Sequence, residues 1–399
     1  MDTRQIVILG STGSVGQQAV AVVREHPGEF RVLGLGAGGG QIDVLAQQIV
    51  ELQPEVVAIA SEEALPELHT AVRDVVAAQG RRIGAFSAPQ YLAGNQAIEE
   101  LAKMSCDVVL NAITGAVGLK ATLATLRSGN VLALANKESL IIGGEFVTRE
   151  ARPGQIVPVD SEHSALAQAL RGGKNSEVKR LIITATGGPF RGMRRAELKN
   201  VTVAQALAHP KWSMGPVISI NSATMVNKGL EVIEAHLLFG IPYANIEVVI
   251  HPEAFIHSMV EFTDGTTIAQ VSPPDMRLPI ALGLKWPERI PYVVPGVDWS
   301  SPHTWSLQPL DNELSSMVRL ARHVGELGGA APAVYNAANE VCVEAFVSGR
   351  LPFLGIFDVV EQVVLNSTPT VNILTLEDVL EVEALARVSA IELINRRLS

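Results

Sequence analysis

Residues 5–23 read QIVILGSTGSVGQQAVAVV and join an apolar strand to a helix through a glycine-rich turn. Glycines at positions 10, 13 and 16 permit a tight turn and let backbone N–H groups at the helix N-terminus approach a phosphate. This arrangement predicts the first turn of a dinucleotide-binding sheet. The spacing is G-x-x-G-x-x-G rather than the commoner G-x-G-x-x-G, so a plain glycine-rich connection remains the alternative.

The rest of the first third alternates strand-like and helical stretches, which predicts a parallel, doubly wound sheet. Its further strand-like runs lie at 30–35, 56–60, 107–112 and 130–135. A second set of strand-like runs predicts a mixed α/β domain with its own sheet, and these lie at 156–159, 181–185, 247–250, 259–262 and 267–271. Five prolines between 287 and 310 predict an extended linker. Helical spacing beyond predicts a bundle of three or four helices.

The expected fold class is therefore α/β, with two sheet domains followed by a helical bundle. The expected boundaries are 1–154 for the first domain, 155–286 for the second, 287–313 for the proline-rich linker and 314–399 for the bundle.

Bulk composition narrows the class of protein. The 399 residues are 47% hydrophobic and 18% charged, which is typical of a globular chain. The formal net charge of -10 argues against nucleic acid and anionic membranes as partners, because both favour a basic surface. Cys106 and Cys342 lie in no metal or redox spacing and are expected to be reduced. Neither a signal peptide nor a membrane span is recognisable, so we expect a cytoplasmic protein.

The end of the second strand indicates which dinucleotide is bound. An NAD site usually carries an acidic residue there to hold the ribose 2′-hydroxyl. This chain reads GLGAGGG at 34–40, and its next acid is Asp43. The acid-free turn favours NADPH, with backbone N–H groups of Gly38, Gly39 and Gly40 beside the 2′-phosphate.

Acidic residues in two segments predict a divalent-metal site. Asp160 and Glu162 follow the strand at 156–159, and in an extended segment side chains two residues apart point the same way. Helix capping by Asp160 or Ser161 is the alternative for this segment. Carboxylates without Cys or His in zinc spacing favour Mg²⁺ or Mn²⁺.

The segment NSATMVNKGLEVIE carries the second acidic pair. Lys228, Glu231 and Glu234 recur every three residues and would share one face of a helix. Ser222, Asn227 and Lys228 supply hydroxyl, amide and ammonium donors, which fit a phosphate. A solvated helix face would also alternate charges, but it explains the neighbouring Ser, Asn and Gly less well.

The segment HPKWSMGP at 209–216 is bracketed by proline and glycine. Trp212 and Met214 on such a loop would form a lid that excludes water from a site. Packing of Trp212 on the protein body is the alternative.

Seven motifs occur in the order found in one known family. They are GSTGSVG at 10–16, LALANKES at 132–139, PVDSEHSA at 158–165, GGPFR at 187–191, HPKWSMG at 209–215, NSATMVNKGLE at 221–231 and YNAANE at 335–340. Together they resemble the 1-deoxy-D-xylulose 5-phosphate reductoisomerase family over nearly the whole chain. The motifs NKES, VDSEHSA, HPKWSMG and NKGLE are far more specific than the glycine-rich turn.

The resemblance implies an NADPH-binding domain, a catalytic domain and a C-terminal helical bundle, in a homodimer joined through the catalytic-domain sheet. It implies that a phosphorylated sugar, 1-deoxy-D-xylulose 5-phosphate, is rearranged and reduced to 2-C-methyl-D-erythritol 4-phosphate. NADPH and Mg²⁺ or Mn²⁺ would be the cofactors of this step, which belongs to the non-mevalonate route to isoprenoid precursors.

The resemblance also implies roles for single residues, motif by motif. The implied metal ligands are Asp160, Glu162 and Glu231, with Glu234 nearby. The implied catalytic residues are Lys137, Glu162, His209 and Lys228. The implied substrate-binding residues are Ser161, Glu162, Thr186, His209, Trp212, Met214, Ser222, Asn227, Lys228 and Glu231. The implied cofactor-binding residues are Thr12, Gly13, Ser14, Val15, Gly38, Gly39, Gly40, Asn136, Glu138 and Gly215.

The chain departs from the family pattern in two ways. Members commonly carry a Ser that helps hold phosphate where this chain has Thr186, whose hydroxyl is kept but whose methyl group would crowd the pocket. Many members carry Lys-Asn where this chain has Gly39 and Gly40, which leaves open how strictly NADPH is preferred over NADH.

Two other classes fit parts of the sequence. Semialdehyde and homoserine dehydrogenases also join a Rossmann-like domain to an α/β dimerisation domain. The former need a nucleophilic cysteine, for which Cys106 and Cys342 are poorly placed, and the latter would not need two separated acidic pairs. A non-catalytic nicotinamide-binding module would need the first domain alone and would leave 158–164, 209–216 and 221–234 unexplained.

Overall fold

A computed structural model divides the chain into two compact units. It describes residues 3–80, 86–212, 215–310, 315–367 and 375–398. The first unit comprises residues 1–139, 150–160 and 275–295. The second comprises residues 140–149, 161–274 and 296–399, and so includes both the middle domain and the C-terminal helices expected from the sequence.

The first unit alternates strands and helices. Its strands are β1 (Arg4–Leu9), β2 (Phe30–Ala37), β3 (Val56–Ile59), β4 (Gln90–Ala93), β5 (Val108–Asn111), β6 (Val131–Leu134) and β7 (Ile156–Pro158). Its helices are α1 (Ser14–Glu25), α2 (Ile42–Leu52), α3 (Leu65–Ala78), α4 (Ala97–Ala102), α5 (Leu119–Arg127), the start of α6 (Lys137–Glu150) and, later in the chain, α11 (Arg277–Lys285).

The seven strands form one parallel sheet in the order β4-β3-β2-β1-β5-β6-β7. The chain winds outwards from β1 in both directions, so the strand order reverses between β1 and β5. Ligands of such sheets bind outside the carboxyl ends of the strands, at that point of reversal. Ile6 through Leu9 are fully buried, as expected for a strand covered on both faces. The Rossmann-like fold expected from the sequence is confirmed.

Two glycines make the turn after β1 possible. Gly10 has φ +76°, in the left-handed region that favours glycine, and its carbonyl accepts the Gly13 N–H at 3.0 Å. A Cβ on Gly16 would lie only 2.1 Å from the Gly10 carbonyl oxygen. Because the turn is this tight, α1 begins at Ser14, directly beyond the carboxyl end of β1.

Residues 275–295 belong to the first unit, whereas the expected boundary at 286 divides them between the middle domain and the linker. Lys285 Nζ lies 2.8 Å from Glu29 Oε2, and Ile290 and Val293 are buried in the core of the first unit. Prolines at 287, 291 and 295 interrupt regular structure beyond α11, but they do not prevent apolar side chains from packing. The unit boundaries therefore differ from the expected boundary at 286.

The second unit has its own strands and most of the helices. Its strands are β8 (Val178–Ala185), β9 (Ile246–Ile250), β10 (Ile256–Phe262), β11 (Thr267–Val271) and β12 (Gln308–Pro309). Its helices are α7 (Ser161–Ala169), α8 (Val203–Leu207), α9 (Pro216–Ala223), α10 (Val226–Phe239), α12 (Ser316–Leu327), α13 (Ala331–Val347), α14 (Phe353–Asn366) and α15 (Leu376–Leu398).

The second sheet is mixed, with the order β11-β10-β8-β9-β12. Strands β8 and β9 are parallel, and the other neighbours are antiparallel. The expectation of a second sheet followed by C-terminal helices is confirmed. Across the described residues, no helix has the length and apolar character that crossing a membrane requires.

Replacing Gly16 with alanine tests the tight turn after β1. The added methyl group would overlap the Gly10 carbonyl, so we expect Gly16→Ala to lose about 1–3 kcal/mol in free energy of unfolding. Urea denaturation measures this loss, and dinucleotide binding should weaken with it. Gly28→Ala is the matched control, since a Cβ there meets no heavy atom within 4 Å. Equal stability of the two variants would contradict the steric account.

Candidate active site

The carboxyl edge of the first sheet gathers the predicted cofactor residues. In strand order along this edge lie Gly38–Gly40 after β2, Gly10–Gly16 after β1, Asn136 after β6 and Asp160 after β7. Four strand spacings separate β2 from β7, which is roughly 19 Å. The edge is long enough for an extended dinucleotide whose adenosine end lies beside β2.

The glycine-rich turn is held from two sides and offers backbone donors. Gln17 Nε2 donates to the Thr12 carbonyl at 2.7 Å, and Gln48 Nε2 donates to the Ser11 carbonyl at 2.9 Å. Gly13 occupies the N-cap position of α1 and has no side chain to satisfy the N–H groups of the first turn. The turn at Thr12 to Val15 is therefore suited to a pyrophosphate.

The turn after β2 is open, as its sequence predicts. Gly39 has φ +110°, and a Cβ there would lie 3.1 Å from the Ser61 Cβ. A Cβ on Gly38 or Gly40 would meet no heavy atom within 4 Å. The turn thus has room for a 2′-phosphate beside its backbone.

Asn136 fixes the ends of β5 and β6 relative to each other. Its amide nitrogen donates to the carbonyls of Ile113 and, at 2.9 Å, of Gly115. Its side-chain oxygen caps α6 by accepting the Ser139 N–H at 2.9 Å. Glu138 lies beside the same amide at 3.3 Å. Asn136 therefore shapes the carboxyl edge of the sheet through its own hydrogen bonds.

Lys137 pairs with a predicted metal ligand within the first unit. Its Nζ lies 2.5 Å from Asp160 Oδ2, and the two side chains are only 10% and 15% exposed. The first residue of α6 and the residue shortly after β7 therefore meet at the carboxyl edge of neighbouring strands.

In the second unit, Lys228 lies between two carboxylates. Its Nζ is 2.6 Å from Glu162 Oε1, contacts the Glu231 carboxylate and donates to the Thr184 carbonyl at 2.5 Å. Burial alone would lower the pKa of Lys228, but the charges of Glu162 and Glu231 outweigh it and raise that pKa. The three donors of the ammonium group are thereby directed at protein oxygens.

Glu162 reaches Lys228 from a helix. An extended conformation was expected for Asp160–Glu162, and this expectation was wrong because α7 begins at Ser161. Strand alternation therefore does not align Asp160 with Glu162. A carboxylate is favoured in the first helical turn by the helix dipole. The Ser161 hydroxyl donates to Glu162 Oε2 and further restricts its orientation.

Glu231 is held by its neighbours on the side away from Lys228. The Asn227 amide donates to its carboxylate, one turn earlier on α10. His163 Nε2 lies 2.8 Å from the Glu231 carbonyl oxygen, and because that oxygen only accepts, the ring nitrogen carries the proton. His163 Nδ1 lies 3.2 Å from Glu234 Oε2, with both side chains fully buried. Glu234 therefore faces His163 from the predicted acidic face of α10.

The residue after β8, Thr186, is hydrogen-bonded to His209. His209 Nδ1 accepts the Trp212 N–H at 2.9 Å, which puts the ring proton on Nε2. That nitrogen donates to Thr186 Oγ1 at 3.1 Å. Burial lowers the pKa of His209 and so favours this neutral ring.

The turn after Thr186 packs directly on α9. Gly188 has φ +66°, and a Cβ there would lie 2.8 Å from the Ser222 carbonyl oxygen. The Gly188 N–H also lies 3.4 Å from Thr186 Oγ1. The close approach brings the segments of Thr186 and Ser222 together, as expected for two residues that hold one anion.

Three predicted positions on the lid segment have different outcomes. Met214 lies outside the described residues. Gly215 is the N-cap of α9 in the second unit, whereas the other predicted cofactor residues belong to the first unit. Trp212 is half-buried, with its ring centroid 6.2 Å from that of His257.

His257 lies beside the predicted site residue Trp212, although its sequence context did not single it out. Its Nε2 lies 3.2 Å from the Ser272 carbonyl oxygen. Burial lowers the pKa of His257, while the charge of Glu162 acts in the opposite direction. The available signal was a histidine inside the apolar run of β10. Its place near the site follows from the pairing of β10 with β8, the strand that precedes Thr186.

Three family models match successive parts of the chain. The model described as 1-deoxy-D-xylulose 5-phosphate reductoisomerase matches residues 6–144. Models of two C-terminal domains of the same family match residues 156–239 and 271–389.

Individual proteins of that name resemble the chain over nearly its full length. The 1-deoxy-D-xylulose 5-phosphate reductoisomerase of Kitasatospora griseola is 57% identical over 390 residues, or 97% of this chain and 99% of that protein. The one from Streptomyces coelicolor is 56% identical, covering 98% of this chain and 92% of that protein.

Solved structures agree with the sequence relatives. The reductoisomerase of Zymomonas mobilis in complex with NADPH is 38% identical with a TM-score of 0.89, covering 98% of this chain and 99% of that one. A reductoisomerase in complex with NADPH, fosmidomycin and magnesium is 34% identical with a TM-score of 0.88, covering 98% of both chains. The chain therefore belongs to the 1-deoxy-D-xylulose 5-phosphate reductoisomerase family.

Proposed function

We propose how the residues of this chain carry out the reaction of its family. The chain is an oxidoreductase that converts 1-deoxy-D-xylulose 5-phosphate into 2-C-methyl-D-erythritol 4-phosphate with NADPH and a divalent metal ion. This reaction belongs to the synthesis of isoprenoid precursors. The observation that carries the residue assignments is the pairing of Lys228 with Glu162 and Glu231, because it concentrates acidic ligands in one place.

The proposed metal ligands are Asp160, Glu162 and Glu231. Asp160 and Glu162 are separated by one residue in the chain, and Lys228 joins Glu162 to Glu231. All three offer carboxylate oxygens, which Mg²⁺ and Mn²⁺ prefer. Their three negative charges exceed the two positive charges of Lys137 and Lys228, so a divalent cation would be electrostatically favoured.

When bound, the metal ion supplies Lewis-acid stabilisation of charge on oxygen, and NADPH supplies the hydride. Lys137 and Lys228 hold ammonium groups beside the proposed ligands, where they would stabilise negative charge that develops on substrate oxygens. Glu162 is restrained by both Ser161 and Lys228, so its orientation is set before substrate binds. Trp212 would cover the reacting atoms and exclude water.

The substrate phosphate is proposed to bind at Thr186, Ser222 and Asn227. Thr186 Oγ1 accepts a hydrogen bond from His209, which leaves the Thr186 O–H to donate to an anion. His209 therefore supports phosphate binding through Thr186. The position of Lys228 among carboxylates supports contact with substrate oxygens near the metal rather than with the phosphate.

The cofactor is proposed to lie along the carboxyl edge of the first sheet. Thr12, Gly13, Ser14 and Val15 would hold its pyrophosphate, and the turn at Gly38–Gly40 would face its 2′-phosphate. Asn136 and Glu138 would lie towards the nicotinamide, with Gly215 as a further contact from the lid segment.

Glu231→Gln tests the metal assignment. The amide keeps the shape of the side chain but removes the charge, so we expect metal-dependent NADPH oxidation to fall by more than about a hundredfold. Loss of a residue that only hydrogen-bonds a metal ligand already lowers metal affinity or activity about 10- to 100-fold. The measurement is NADPH absorbance with 1-deoxy-D-xylulose 5-phosphate and Mg²⁺ or Mn²⁺, with a chelated sample beside it.

Glu344→Gln is the matched control, because the Glu344 side chain is 80% exposed on α13. It should retain wild-type turnover. Near-normal turnover by Glu231→Gln would contradict the ligand assignment, while an inactive wild-type enzyme beside an active relative would contradict the reaction.

Thr186→Val tests the role of the hydroxyl that replaces the family serine. Valine has the same shape but neither donates to phosphate nor accepts from His209, so we expect the KM for substrate to rise about tenfold, as for one lost hydrogen bond. Thr186→Ser should stay within about twofold of wild type. The KM for substrate is measured by steady-state kinetics. Equal KM values for the valine and serine variants would exclude a contact between Thr186 and the phosphate.

A homodimer joined through the second sheet is part of this proposal, as is a cytoplasmic location. Strand β11 is at the edge of that sheet, and its residues are exposed or half-buried. An edge strand offers N–H and C=O groups to another chain, and twofold pairing would continue the sheet. Sedimentation should give twice the 42.5 kDa of one chain. Sedimentation at the mass of one chain would contradict the dimer.

A further inference from the structure

The motif YNAANE on α13 has no role in the chemistry described above. Tyr335, Asn336 and Asn339 from this motif are almost fully buried. Their helix is otherwise apolar where it is buried, with alanine, valine and phenylalanine side chains facing its neighbours. A buried amide in such surroundings destabilises the fold unless it is hydrogen-bonded, so its partner deserves a physical explanation.

Asn339 makes a hydrogen bond between two helices. Its Nδ2 donates to Asn221 Oδ1 at 2.9 Å, across 118 residues of sequence. Asn221 lies on α9 immediately before Ser222, one of the proposed phosphate residues. Apolar contacts allow helices to slide along each other, whereas one buried polar pair selects a single register. The bond therefore fixes the position of Ser222 along α13.

Tyr335 lies one turn before Asn339 on the same face of α13 and meets α10. Its hydroxyl donates to the Met317 carbonyl at 3.2 Å. A Cβ on Gly229 would come within 3.1 Å of that hydroxyl oxygen, so α10 packs closely against it. Gly229 directly follows Lys228, and thus α13 contacts both helices that carry the proposed phosphate segment.

The junction between those two helices is short and strained. Met225 is the N-cap of α10 and has φ +64°, an uncommon conformation for a residue with a side chain. Its N–H lies 3.2 Å from the Ser222 carbonyl oxygen. A strained backbone conformation persists only where the surrounding structure holds it, and α13 is one of the elements packed against both α9 and α10.

We propose that Asn339 is a positioning residue for the phosphate site, where its bond to Asn221 holds Ser222 in register with Asn227. This inference rests on the proposed phosphate residues. Asn339 acts through α9 and touches neither substrate nor cofactor.

The test compares two buried asparagines of the same motif. Asn339→Leu removes the bond between helices, whereas Asn336→Leu removes a bond to Glu340 within α13. We expect Asn339→Leu to raise the KM for 1-deoxy-D-xylulose 5-phosphate and the inhibition constant of inorganic phosphate about tenfold, as for one lost hydrogen bond. Its kcat should stay within about threefold of wild type, and its KM for NADPH should not change.

Asn336→Leu should lose comparable thermal stability while keeping both phosphate-dependent constants. If Asn339→Leu does not fold, Asn339→Ala carries the same expectation, because alanine favours helix and adds no bulk. The inference is overturned if both positions change KM equally, or if Asn339 variants lose stability with an unchanged KM. If inorganic phosphate does not compete with substrate on the wild-type enzyme, the proposed phosphate site itself fails.

Discussion

The need to neutralise buried carboxylates constrains the whole second unit. Glu231 is 1% exposed, and an unpaired charge in that position would cost several kcal/mol. Lys228 offsets the charge of Glu231 directly, and its remaining donors are satisfied because α7 delivers Glu162 and the end of β8 delivers the Thr184 carbonyl to the same ammonium group. Helix α10 must in turn lie close to α12 and α13, which Gly229 permits. The charge pairing of the site therefore depends on the same helix packing that stabilises the second unit.

The first sheet and its carboxyl edge could be predicted from the sequence because their determinants are local. Gly10, Gly13 and Gly16 mark one turn, and the alternation of strands and helices dictates a parallel sheet. Once the sheet is parallel, the ends of β1, β2, β6 and β7 lie at one edge, which brings Asn136 and Asp160 into line. Short-range pattern and one rule of topology are enough for this part.

The features that could not be predicted from the sequence depend on contacts between residues that are distant in the chain. Three-residue spacing identified the face of α10 that carries Lys228, but not the partners Glu162 and Thr184. The start of α7 at Ser161 could not be told from a strand end, because Asp160 and Ser161 suit both a strand end and a helix cap. His257 was not singled out, and the segment 275–295 was divided between two domains, since neither an isolated histidine nor a run of prolines reveals what it packs against.

The two glycine-rich turns of the first sheet differ in how far they can vary. Gly16 is closed to any side chain by the Gly10 carbonyl, so recognition there must come from the backbone and cannot be tuned by substitution. Gly38 and Gly40 face open space, and a charged or polar side chain would be tolerated sterically at either. Substitutions that change the dinucleotide preference, whether natural or engineered, are therefore expected in the turn after β2. The turn after β1 cannot accept them.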